Sequence, residues 1–323
     1  MTTNTLNRYT IQVQDNPQAG DVPTFRPNGF FFNDFSHLRQ QSSLPLHLLT
    51  ALNPATYQAE ARCAFFDNGP VASSPGAAPF GSVEFDNNLP DSVLGELLHT
   101  LTDKARQDCC SSVRLVNYPN CYAPEQADRL TNHLLDQQYR MVRNDANFYL
   151  TVGTDSLDRQ MHSQERRKLR RAQQAGFRFA EWQQPPVADV LSFLTRSRAQ
   201  QQYPLTLPAD RLACLLTRFP DKFSVFTVRD GADIASLAVT VRVSSDILYY
   251  YLPADNLAYR SFSPAVMLID GLFGYCQQER IKLLDLGVSL DHHRAFKPSL
   301  AQFKQNLGAV SSPKRVFEKA LNA

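Results

Sequence analysis

The sequence predicts a mixed α+β chain built as two units of similar plan, the first incomplete, joined by a basic helix. Three observations lead there. At 323 residues the chain is long for one domain, given roughly 100–200 residues for each. Its 43% apolar and 20% charged composition is that of a folded protein with a core to bury. Finally, the order strand, helix, strand, helix can be read twice along it.

In the first half, PLHLLTAL and YQAEARCAFF flank Asn53-Pro54 as a hairpin, since β-branched and aromatic runs bounded by turn residues form strands. The opening forty residues are too irregular to assign. GSVEF (Gly81 to Phe85) reads as a short strand. In the helix that follows, Val93, Leu94, Leu97, Leu98 and Leu101 recur at helical spacing, with Asp91 or Ser92 near the cap. SSVRLVNYP alternates like a strand, and Pro124 opens a helix over PEQADRLTNHLLDQQ, because proline suits the first helical turn. NFYLTV then closes the half, which places the boundary near Gly153 and gives domains 1–153 and 154–323.

Asp155 to Gly176 reads as a basic connecting helix. Leu157, Met161, Leu169 and Ala172 form its thin apolar stripe, and Arg166, Arg167, Lys168, Arg170 and Arg171 crowd one and a half turns. GFRFAEW is a strand, VADVLSFLTRSRAQQ and ADRLACLLTRF are helices, and two strands meet at Asp230-Gly231, a hairpin signal. ILYYYLP (strand), SPAVMLIDGLFGYCQQE (helix), IKLLDLG (strand) and SLAQFKQNLG (helix ended by Gly308) complete the order, each bounded by the expected caps and breakers.

Composition and motif searches exclude much. A formal net charge of +2 disfavours a dedicated duplex-DNA binder while leaving room for a local basic patch. No stretch approaches the ~18 apolar residues of a membrane span and the first residues lack a signal core, so a cytoplasmic protein is expected. The six cysteines contain no CxxC pair, which favours reduced, mostly buried thiols. The 13 glycines never form GxG, and HExxH and GxSxG are missing, which removes the usual signatures of nucleotide, zinc-protease and serine-hydrolase chemistry. Neither a metal nor a tightly bound cofactor is expected.

The order of elements, with APFGSV (Ala78 to Val83), RRKLRRAQQAG (Arg166 to Gly176), YYYLPADNLAYRSFSPAVML (Tyr249 to Leu268), LLDLGVS (Leu283 to Ser289) and LAQFKQNLG (Leu300 to Gly308), resembles the GNAT acyltransferase superfamily. Within it the chain resembles the Fem-type enzymes, which join two GNAT-like domains. The resemblance covers nearly the whole chain. It implies a non-catalytic or acceptor-binding first domain and a catalytic second one, with transfer there and in the cleft between domains. It also implies that the strand at Ile247 to Leu252 splays from Leu283 to Leu286 to admit an acyl donor.

On this resemblance Tyr250, Tyr251, Ser263, Ala265 and Val266 are expected at the donor. Ser263 would be the N-cap and Pro264 the first residue of a helix whose free N–H groups bind anions. Phe303-Lys304 matches the Fem Phe-Lys pair, with the ammonium poised to neutralise an oxyanion; the bland alternative is an exposed lysine beside a core phenylalanine. Asp285 either orients an acceptor amine or bonds backbone at a strand end. His292 is a loop base or simply a surface histidine. The basic run is a solvated face or a phosphate site for tRNA.

The implied function is transfer of an acyl or aminoacyl group to an amine on a small molecule or cell-wall precursor. The donor is aminoacyl-tRNA or acyl-coenzyme A. Against the coenzyme A donor stands the loop Tyr259-Arg260-Ser261-Phe262-Ser263-Pro264, where a glycine-rich pyrophosphate loop is usual. A reading of another class is a binding or scaffold protein that has kept the fold without the chemistry.

Overall fold

The computed structural model describes residues 9–201 and 207–321, and the chain divides into two compact units. The first comprises Met1–Asp145 with Pro313–Ala323, and the second Ala146–Ser312. The division therefore falls inside the strand that contains NFYLTV rather than after it at Gly153, and the last eleven residues return to the first unit. Two long strands run across the division, which is why neither end of that strand marks a boundary in sequence.

The first unit contains β1 (Thr10–Asp15), α1 (Phe35–Gln41), β2 (Leu46–Leu52), β3 (Ala59–Asn68), β4 (Val71–Ser74), β5 (Glu84–Phe85), α2 (Asp91–Gln107), β6 (Ser112–Val116) and α3 (Pro124–Asp136). β7 (Arg140–Thr151) leads into the second unit, which holds α4 (Ser163–Gln174), β8 (Arg178–Glu181), α5 (Val187–Gln200) and α6 (Ala209–Arg218). It continues with β9 (Phe223–Asp230), β10 (Asp233–Ser244), β11 (Ile247–Asp255), α7 (Pro264–Gln278), β12 (Leu283–Val288) and α8 (Pro298–Asn306). β13 (Val310–Ala320) carries the chain back.

In the first unit β1, β2, β3 and β4 pair antiparallel in that order, β4 pairs β6 in parallel, and β6 pairs β13 antiparallel. The predicted periodicity of α2 becomes its buried face, since Val93, Leu94, Leu97, Leu98 and Leu101 all lie in the core. Each such side chain stabilises the fold by roughly 1.5–3 kcal/mol. The cap differs from expectation: Pro90 occupies the N-cap position, and Asp91 instead bonds Arg129. β13 has no counterpart in the sequence reading, because Pro313 and its charged residues obscure a strand whose Val316 and Phe317, with Leu321 just past its end, are buried.

In the second unit β7 pairs β12 antiparallel, β12 pairs β11 in parallel, and β11, β10, β9 and β8 continue antiparallel. α7 buries Val266, Leu268, Ile269, Leu272, Phe273 and Cys276 in a core shared with Leu169 and Ala172 of α4. The basic helix is shorter than predicted. It starts after His162, whose ring accepts from the Gln164 N–H, so Leu157 falls in a separate 3-10 turn and Met161 in the link, both buried. All six cysteines are free thiols, with Cys63, Cys110 and Cys276 buried. No helix among the described residues is long and apolar enough to cross a membrane.

Candidate active site

The parallel pairing of β11 with β12 stops early. Ile247 faces Leu283, Leu248 faces Leu284 and Tyr249 faces Asp285, and no further pair forms, although β11 runs on to Asp255 and β12 to Val288. Both strands carry an extra residue beside the parting. On β11 the partners step from Tyr250↔Thr240 to Leu252↔Val239, leaving Tyr251 in a bulge. On β12 they step from Asp285↔Tyr149 to Gly287↔Phe148, leaving out Leu286. Bulges bend a strand and steepen its twist, which supplies the divergence. Gly287 at φ 73° takes the left-handed conformation that glycine adopts without a steric penalty.

Backbone groups of β11 exposed by the parting must find other partners. α5 supplies some: Arg198 donates to the Pro253 carbonyl at 3.1 Å and Ser197 to the Asp255 carbonyl at 2.9 Å.

Lys304 lies at the parting of the strands. Its Nζ donates to the carbonyls of Gly287 and Val288, each at 2.9 Å, and sits 5.6 Å from the centre of the Phe148 ring. Only 5% of the residue is exposed. Burial pushes its pKa down to about 8, with the Asp285 carboxylate pulling the other way. An ammonium has three donors, and the third N–H of Lys304 has no partner among the described residues. The bland expectation is thus inverted: the lysine is buried, and Phe303 is only partly buried against the core.

Asp285 is 1% exposed. Its Oδ1 accepts from the Gly287 N–H and from Asn147 Nδ2, both at 2.7 Å, so it fixes the bulge that presents the Lys304 acceptors. Ser289, fully buried just beyond β12, has an Oγ with no hydrogen-bond partner.

Several predicted residues sit elsewhere. Tyr250 belongs to the core with Val266 and Ile269, because alternate side chains on a strand face opposite ways. Tyr249 and Tyr251 share the other face, with ring centres 5.5 Å apart, and Tyr249 packs over Gly287. Val266 is fully buried, and its N–H is taken by the Ser263 carbonyl at 3.0 Å. Ser263 stands at the N-cap position but at φ 52° and ψ 56°, and its side chain caps nothing. The preceding 3-10 turn, Leu257–Phe262, is anchored by Phe177, which packs on Tyr259 and Phe262. Ala265 is half-buried on the first turn of α7. His292 is exposed, its ring 3.8 Å from that of His293.

On α4 the charges divide by face. Arg167, Arg170 and Arg171 are exposed, while Arg166 and Lys168 are half-buried. Lys168 is already paired with the buried Glu165 at 2.9 Å, and Arg171 lies 5.1 Å above the Phe262 ring.

Sequence reasoning missed Asn147 and Gly287, whereas the alternation of Tyr249, Tyr250 and Tyr251 already set Tyr250 on the opposite face from the other two. The only prior signals were a polar residue in an otherwise aromatic strand and a glycine inside a strand pattern, which often marks a bulge.

The strands that part, β11 and β12, lie in the segment that a known domain model covers. The acetyltransferase (GNAT) domain model matches residues 158–297. This segment is a GNAT domain. The match ends before α8, so Lys304 lies outside the part of the GNAT domain that the family model covers. No curated protein sequence matches the chain significantly.

Among solved structures, FemX superposes with a TM-score of 0.71 at 10% identity, covering 92% of this chain and 93% of FemX. The C-terminal domain of a protein assigned as a lysylphosphatidylglycerol synthetase from Agrobacterium fabrum gives 0.54 at 13% identity, over 82% of each chain. A tandem GNAT protein from the clavulanic acid biosynthesis pathway gives 0.50 at 11%, covering 86% of this chain and 83% of that one. At these identities the likeness is one of fold, and it includes the tandem arrangement.

Proposed function

We propose that the protein transfers an aminoacyl group from an ester donor to an amine acceptor, in the wedge between β11 and β12. The observation that carries this reading is the Lys304 ammonium, buried and held on the Gly287 and Val288 carbonyls where the strands part. A positive charge fixed in a poorly solvated opening is what a developing oxyanion requires, and it costs no reorganisation when the charge appears.

In the proposed step the acceptor nitrogen attacks the donor carbonyl and a C–N bond forms. The carbonyl electron pair becomes an oxyanion facing the Lys304 ammonium. As the intermediate collapses, the ester C–O bond breaks, and the proton lost by the amine ends on the leaving hydroxyl. Asp285 and Asn147 are positioning residues, since both act through the bulge at Gly287. Tyr249 and Tyr251 supply an aromatic wall on the same strand.

The donor is assigned from the loop before α7. That loop is an aromatic 3-10 turn packed on Phe177, and the Val266 N–H is already bonded, so little free backbone remains for a diphosphate. An aminoacyl ester of tRNA needs no diphosphate site there, and its phosphates would be met by Arg167 and Arg170 on the exposed face of α4, as electrostatic binding of RNA requires.

Incubating the full chain with charged tRNA, or separately with acetyl-coenzyme A, and a panel of amine-bearing acceptors should give an acceptor heavier by one aminoacyl residue in the tRNA reaction alone. Lys304→Met should lower turnover by roughly 10²–10³-fold. Unchanged turnover in that variant would remove the assignment. Transfer from acetyl-coenzyme A alone would replace the donor, and binding of neither would leave the scaffold reading.

A further inference from the structure

The first unit holds a cluster of ionisable groups that the proposed transfer does not use. Asp15 ends β1, His47 lies on β2, Asp67 lies on β3, and Asp108 closes α2. The His47 side chain is 5% exposed. Its Nδ1 stands 2.6 Å from Asp15 Oδ1, and its Nε2 stands 2.9 Å from Asp67 Oδ2 and 3.6 Å from Asp108 Oδ2. One ligand atom each from His47, Asp67 and Asp108 fall within 4.8 Å of one another, and the Cys110 sulfur is 3.9 Å from Asp67 Oδ1.

Four features distinguish this arrangement from an ordinary ion-pair network. The imidazole is held by carboxylates at both ring nitrogens, Nδ1 on Asp15 and Nε2 on Asp67, and a carboxylate on the far nitrogen is how metal-binding histidines are oriented. Asp108 Oδ2 is buried and accepts no hydrogen bond, a costly state unless something else occupies its lone pairs. Charge is also out of balance: Asp15, Asp67 and Asp108 face a single ammonium, Lys104, at 3.0 Å from both Asp15 and Asp108. Leaving the imidazole aside, three carboxylates against one ammonium leave negative charge that a bound cation would offset. Finally, Asp108 stands at the C-terminal end of α2, where the helix dipole already favours a cation.

We propose that His47 Nε2, Asp67 and Asp108 bind one divalent transition-metal ion of the zinc class, with Asp15 orienting the imidazole. The ligand atoms of a tetrahedral zinc site stand roughly 3.3–3.8 Å apart, given metal bonds of about 2.0–2.3 Å. The His47–Asp108 separation already fits, and the His47–Asp67 separation opens slightly on binding. The ion would join β1, β2, β3 and the end of α2, a structural role. Positions 47, 67 and 108 form no sequence motif, so the expectation of a metal-free protein could not register them.

The test uses the full chain, stripped with chelator and titrated with zinc by calorimetry, and separately with cobalt to read tetrahedral visible absorption. Wild type should bind one equivalent of zinc and melt at a higher temperature with it. Asp67→Asn and Asp108→Asn should each abolish that binding, and Asp15→Asn should weaken it about 10–100-fold. Lys304→Met should bind zinc as wild type does, so failure of the transfer reading and failure of this one are separately visible. No zinc binding by wild type, or binding indifferent to both asparagine variants, overturns the proposal. If those variants do not fold, the cobalt spectrum of the wild type decides, and absence of tetrahedral bands overturns it equally.

Discussion

At position 304 the chain buries an ammonium on two backbone carbonyls. Folding lowers the pKa from the ordinary 10.5 to about 8, so between these values the unfolded chain holds more protons than the folded one. Stability therefore rises with pH across that window, and below it the full cost of the buried charge is present. The melting temperature of Lys304→Met relative to wild type should fall steadily as pH climbs from about 8 to about 10, because wild type gains stability there and the variant does not. A difference that stays constant with pH would show that the lysine is not the titrating group. The ammonium that steadies the oxyanion is lost over the same rise, so turnover should fall above about pH 8 in step with it. Residue identity carried this far in the sequence: Phe303-Lys304 could be picked out by its match to a family pattern. What the pattern could not convey is that the lysine is the buried member of the pair, because that depends on two carbonyls of a strand distant in sequence.

Among the elements, strands and helices were legible wherever period and punctuation agreed, as in α2, the Asp230-Gly231 hairpin and α7. The start of α7 was legible only in part. Ser263 and Pro264 have the composition of a cap, yet Ser263 sits in the left-handed region and its hydroxyl bonds no helix N–H. Packing of Tyr259 and Phe262 on Phe177 fixes the path of the chain into the helix and overrides the local preference. Two substitutions check this. Ser263→Ala should cost well under the ~1 kcal/mol of a lost side-chain cap, whereas Ser263→Gly should stabilise by roughly 0.5–1 kcal/mol by removing the left-handed penalty. Urea denaturation reads both, and a full cap-sized loss in the alanine variant would contradict the geometry. The proposed metal site belongs to this scale as well: its donors come from two strands and a helix end, brought together by the register of β2 on β3 and the packing of α2 on that sheet.

For the whole molecule, the repeat of element order was visible, but the membership of each unit was not. β13 pairs with β6 from Val316↔Val116 to Ala320↔Ser112, and this return segment buries Val316, Phe317 and, just past the strand, Leu321. Those three side chains contribute roughly 1.5–3 kcal/mol each, a sum comparable with the entire stability of a small domain. A fragment of residues 1–153, the natural cut from the sequence, should therefore lack a cooperative thermal transition by circular dichroism. Adding a peptide of residues 310–321 should restore one. A cooperative melt of the fragment alone would mean that β13 is dispensable.

The placement of β13 also bears on how the protein is made. Ribosomes usually release domains in order, so that an early one is finished while a later one is still being translated. Here the segment that completes the earlier half is polymerised after the whole of the later half. Until it emerges, β6 offers an unpaired edge and Leu115 and Val113 lack part of their cover, which leaves the nascent chain open to wrong partners.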